Sequence, residues 1–154
     1  MILRNPTRRS AATAVEMAII APVFVFLLFA LVIGGLGIFR YNQVAHLARQ
    51  AARYAAVHGN DYHTENKKPA ATQASILAES VLPNANAVDA SRLTCTVTWD
   101  QTNAPKQYSA TGKATNNTVI VTVSYQWLPE AMFGGGTLTS TSKMPMSYLS
   151  LIHI

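Results

Sequence analysis

The chain has one cysteine, Cys95, and only seven acidic residues among 154. A single thiol excludes an intrachain disulfide and a cysteine-based zinc centre. Placed between Thr94 and Thr96, it reads as a small buried hydrophobe on a strand. The acidic residues are scattered, and G-x-S-x-G, H-E-x-x-H and the dinucleotide fingerprint are all missing. The four histidines, His46, His58, His63 and His153, have no nucleophile beside them. No catalytic residue, cofactor or small-molecule substrate is therefore expected, and the chain does not read as an enzyme. His58, Asp61, His63 and Glu65 crowd together in sequence but lack a helical His pair and a well-spaced third ligand, so they predict a solvated loop and no metal. Gly134-Gly135-Gly136 lacks the Lys-Ser/Thr of a phosphate cradle and predicts a turn. Basic runs are also scarce, with Lys67-Lys68 the longest in the C-terminal part, so the net charge of +5 does not point to nucleic acid.

What the chain does have is an uncharged run from Met17 to Phe39, closed by Glu16 and Arg40. As a helix it measures about 35 Å, enough to cross a hydrocarbon core of roughly 30 Å with some tilt. A buried core helix would be shorter and keep a polar stripe. A cleavable secretory signal would have a shorter apolar centre and a small-residue cut site after it, whereas this run ends in Phe39-Arg40-Tyr41. A lipoprotein signal would need a nearby cysteine. One uncleaved membrane span, in contact with lipid, is the expectation. Arg4, Arg8 and Arg9 precede it and act as topology determinants, placing the N-terminus in the cytoplasm and the rest outside the cell membrane. Arg40, Arg49 and Arg53 lie on the far side and run against that rule. Pro22 is expected to kink or loosen the span. Gly34, Gly35 and Gly37 offer either a small face for a neighbouring helix or a flexible joint.

Beyond Arg40, helical spacing continues to about His58, with Tyr41, Val44, Ala45, Ala48, Ala51, Ala52 and Ala55 on one face. This is a stalk whose alanine face packs on its own domain or on another subunit. Residues 60–69 read as a loop, and Pro69 to Leu82 as a short second helix stopped by Pro83. Strict alternation then marks strands at 93–99 and 119–127, joined by a long polar connection over 100–117. A third strand is expected from Thr137 to Tyr148, with Pro145 holding it to an edge or ending it. Met132-Phe133 is expected to fold back into the core, and the apolar end, SYLSLIHI, to cover the sheet or meet a partner. The fold class is α+β: a long membrane-spanning helix continuing as a stalk, with a small antiparallel sheet packed against it. The expected divisions are a basic leader at 1–11, the span and stalk at 12–58, and an extracytoplasmic domain at 59–154.

The stretch RRSAATAVEMAIIAPVFVFLLFALVIGGLGIFRYNQVAHLARQAARYAAVHG, residues 8–59, resembles the N-terminal region of TadE-like pseudopilins of the tight-adherence (Flp) pilus system. The Arg pair, the small residues before Val15-Glu16, Ala21-Pro22-Val23-Phe24 within the span, and the Ala-Arg-rich helix ending Arg53-Tyr54-Ala55-Ala56-Val57 carry the likeness. It implies a pilin-like fold, partnership with other pilin or pseudopilin subunits, and a prepilin peptidase that cuts before the apolar segment. Glu16, as fifth residue of the mature chain, then puts the cut between Ala11 and Ala12. The family usually has glycine before the cut, and this chain has Ala11. Cleavage would leave a free amino group on Ala12 that Glu16 can neutralise, in its own or a neighbouring subunit, so setting helix register. It would also remove three arginines, taking the formal charge from +5 to +2. The other reading is an uncleaved, single-span anchor for an extracytoplasmic binding or sensing module, which would tolerate Glu16→Ala.

Overall fold

A computed structural model describes residues 7–59, 62, 63, 66–103, 107, 108, 114, 115, 117–128 and 134–146. It divides into two compact units between Ile38 and Phe39, and helix α1 (Thr7–Val57) contributes to both.

In the first unit the helix runs unbroken through Pro22. Its side chains from Ala11 to Leu36 are exposed, Ile33 alone being partly covered. Ile19, Phe26 and Leu31 each leave about two-thirds of their surface open, at 67%, 68% and 69%. A helix of this length and apolarity can cross a membrane, and none of its most apolar window is buried inside the chain. Side chains added at Gly34 or Gly35 would meet nothing within 4 Å, so no packing among the described residues requires glycine there.

The second unit starts with the rest of α1. Val44, Leu47, Ala48, Ala51, Ala52, Ala55 and Ala56 are buried on it. The expected face is therefore turned slightly: Leu47 and Ala56 join the core, while Tyr41 stays 48% exposed. The spacing of Leu47, Ala51 and Ala55, four residues apart, shows why. Alanine also costs no side-chain entropy and lets a sheet lie close to the helix.

Helix α2 (Gln73–Ile76) passes into a π-turn (Leu77–Val81) and a 3-10 turn (Leu82–Asn84). It begins later than the Pro69 expected, because the Thr72 hydroxyl caps the Ser75 N–H at 3.2 Å while the Ser75 hydroxyl accepts from the Thr72 N–H at 2.9 Å. It also runs past Pro83. Proline falls in the first positions of the new 3-10 turn, where a missing N–H costs nothing.

Strands β1 (Leu93–Asn103), β4 (Thr118–Trp127) and β5 (Gly136–Pro145) form an antiparallel sheet in the order β1-β4-β5. Val97 faces Val121 and Cys95 faces Val123, so the alternate residues of both strands share one face. That face, with Val119, Val121, Val123 and Tyr125 from the central strand, closes over the alanine face of α1. Cys95 is buried, as its alternation predicts, and desolvation pushes its thiol above the ordinary value. β5 is an edge strand ending at Pro145. The outward face carries hydroxyls in register: Thr122 meets Thr141 at 3.0 Å and Ser124 meets Thr139 at 3.1 Å.

The expected polar connection holds more structure than its sequence suggests. β1 continues to Asn103, and β2 (Gln107–Tyr108) pairs with β3 (Ala114–Thr115) as a separate two-strand ladder. Two-residue strands are too short to show a period. Asp61, Glu65, Met132, Phe133, Tyr148 and the terminal SYLSLIHI lie outside the described residues, as does Arg4.

Candidate functional site

Three places on the described chain bear on function. The first is the start of α1. Helix begins at Thr7, so the Ala11–Ala12 bond lies inside it, more than a turn from its end. The sequence reads Asn5-Pro6-Thr7 as a lead-in to a helix and places the span and stalk from about Ala12, and the helix starts at that lead-in. Ala11 and Ala12 are strong helix formers and keep the bond between them helical. Ala12 and Glu16 are four residues apart on the same helical face, and Glu16 is exposed between Val15 and Met17, themselves 63% and 60% exposed. Arg8 and Arg9 lie in the opening turns of α1.

The second place is Arg40, which the sequence reading treats as a charge on the wrong side of the span. Its Nη1 donates to the Tyr125 hydroxyl at 3.0 Å, and its guanidinium carbon lies 5.9 Å from that ring. Tyr125 is 2% exposed. The cation thus fastens α1 to the central strand, and a structural partner 85 residues away explains its position.

The third is a cleft of about 490 Å³ where α1 meets the start of α2. Tyr54, His58 and Tyr62 line it as an aromatic ladder: the Tyr54 and His58 rings stack at 4.0 Å, and Tyr62 meets His58 edge-on at 4.6 Å. The Tyr54 hydroxyl donates to Glu79, which rides on the π-turn. Burial, together with the hydrogen bond to Glu79 and its charge, pushes the Tyr54 phenol up to about 12. His58 Nδ1 donates to the Tyr54 carbonyl at 3.0 Å.

His63, grouped in sequence with His58, instead donates from Nδ1 to the Lys68 carbonyl at 2.6 Å. Among the described residues no group of three metal-ligating side chains forms. Sequence reasoning passed over Tyr54 and Glu79. Their partnership spans 25 residues, and the one local signal was the Thr72-x-x-Ser75 capping box that sets where α2 begins.

These elements define a class first: an α+β protein led by a long apolar helix whose membrane-length part is exposed among the described residues. Comparison with known proteins adds a likeness over part of the chain. A family model described as TadE-like protein matches residues 11–53, the apolar run and most of the stalk, and agrees with the resemblance read from residues 8–59. The likeness is confined to this N-terminal region, and the sheet lies beyond the match. No curated protein and no solved structure matches the chain.

Proposed function

We propose that the protein is a TadE-like pseudopilin or minor pilin component of a tight-adherence pilus assembly or secretion system. It is held in the bacterial inner membrane by residues 17–39, with the N-terminus cytoplasmic. The observation that carries this reading is that the TadE-like match falls on a helix whose large apolar surface is left open among the described residues. Soluble monomers rarely leave so much contiguous apolar surface uncovered, and lipid together with neighbouring pilin-type helices would cover it. In this reading prepilin peptidase cuts between Ala11 and Ala12, and the new amino group meets Glu16 one turn on, or the Glu16 of an adjacent subunit. Such a charge pair in a low-dielectric bundle fixes register, because an unpaired partner is costly.

A second reading keeps the leader and uses the helix only as a tether. It is favoured by the helical state of the Ala11–Ala12 bond, since a protease binds its substrate extended and α1 would first have to unwind past Ala12. The mature N-terminus decides between them. Intact mass of protein purified from native membranes is expected to show a chain beginning at Ala12, and Glu16→Ala is then expected to reduce cross-linking to neighbouring subunits with Glu16→Gln intermediate. A chain retaining its leader, with Glu16→Ala silent, would establish the tether.

A further inference from the structure

Within the second unit, the stalk and the central strand fix each other's direction. Tyr125, near the end of β4, is held by Arg40, which directly follows the close of the apolar run at Phe39. Going back along β4, Val123, Val121 and Val119 are all fully buried, in one core with the α1 face from Val44 to Ala55. At about 3.4 Å per residue Val119 lies about 20 Å from Tyr125, and the helix takes about 17 Å to pass from Val44 to Ala55. Strand and buried helix face thus match in length. From Val119 to Tyr125, β4 runs toward the end of the unit where α1 leaves the apolar run.

That end of the unit is apolar. Among the described residues of the second unit, five large apolar side chains are exposed: Leu128, Phe39 and Tyr41 at 54%, 50% and 48%, and Leu82 and Val57 at 41% and 39%. The three most exposed all belong to this end. Leu128 directly follows β4, about 10 Å on from Tyr125. Its side chain lies over Gly135, where a Cβ would come within 2.7 Å of Leu128 Cδ2, so glycine makes room for it. Trp127 pairs with Gly136, packs partly against the core, and stands on the same side of β4 as Tyr125. A half-buried indole beside exposed Leu, Phe and Tyr, next to an arginine, is the composition of a bilayer interface.

We infer that this end of the domain, Trp127 and Leu128 together with Phe39 and Tyr41, rests in the headgroup layer of a lipid surface. This placement depends on residues 17–39 being a membrane span, which both functional readings above share. The headgroup layer is about 5–8 Å thick on each side of the hydrocarbon, so the roughly 10 Å by which Leu128 extends past Tyr125 is enough to reach it. Interfacial aromatic residues help set the tilt and rotation of a span, and this second contact holds the domain at one angle to the bilayer.

The two tryptophans of the chain provide the test. Trp99 faces Val119, about 27 Å along β4 from Trp127. Each is read alone, on the full chain reconstituted in phosphatidylcholine vesicles that carry a nitroxide on part of their headgroups. In Trp99→Phe, the remaining Trp127 is expected to lose at least about twice the fraction of emission that Trp99 loses in Trp127→Phe, because only the former is interfacial. Should Trp127→Phe fail to fold, the difference between wild type and Trp99→Phe gives the Trp99 value. A third chain, with Trp99→Phe, Trp127→Phe and Phe26→Trp, reports on the apolar run in vesicles of chain-brominated phosphatidylcholine. Quenching there, with Trp127 no more quenched by the headgroup nitroxide than Trp99, overturns the interfacial contact and leaves the span standing. No quenching at Phe26→Trp overturns the span, and the contact falls with it.

Discussion

Tyr54 links the stalk to the second helix through one phenolic proton given to Glu79. Its folded-state pKa, about 12, stands above the ordinary 10.0, so the protonated phenol is the form the fold favours. The stabilisation it brings is fully present below pH 10.0 and is lost as pH rises through about 12. In a phenolate absorbance titration one tyrosine is expected to ionise late, and Tyr54→Phe to remove that late step. Arg40 acts on a different contact. A double-mutant cycle of Arg40→Ala and Tyr125→Phe, read from urea unfolding, is expected to give a coupling of about 1.5 kcal/mol, the low end for a hydrogen bond to a charged group. A coupling near zero would return Arg40 to the surface. Neither contact was legible in the sequence: position alone marks Arg40 as a topology anomaly, and nothing local to Tyr54 names a partner.

Among the elements, legibility follows length and period. The alternation of Leu93, Cys95, Val97 and of Val119, Val121, Val123 is long enough to fix both strand and buried face, and the register pairs them as the pattern requires. Helix α1 was legible because apolar spacing persists from the membrane-length part to Ala55. Its buried face was read less well, since a row of alanines gives a weak contrast between inside and outside. Leu47, the largest side chain on that face, settles the rotation at 1% exposure. The π-turn left no readable trace, as one extra residue in a turn alters phase without altering composition. Ala52 is fully buried against the core. Ala52→Leu is expected to cost about 1–3 kcal/mol through overpacking, measured as a lower urea midpoint with unchanged slope. An unchanged midpoint would mean the alanine face has room to spare.

At the scale of the molecule, the core of the second unit draws on residues far apart in its sequence, from Val44 on α1 to Met144 on β5 and Met146 just after it. A domain of this size has limited apolar area to bury, so the stalk is a structural part of it. A chain shortened to begin at Phe39 is expected to be soluble and to melt cooperatively. One beginning at Pro69, lacking Val44, Leu47 and the alanines, is expected to show no cooperative transition by circular dichroism; equal melting of the two would remove the stalk from the core. The outward face of the sheet has a further consequence. Its cross-strand side-chain contacts run from hydroxyl to hydroxyl or to backbone carbonyl, and an ion pair there, Lys143 with Asp100 at 3.7 Å, is exposed. Neutral contacts are not weakened by counter-ions, and an exposed pair contributes little to begin with. The hydroxyl contacts of this face are therefore expected to hold equally in dilute medium and in brine.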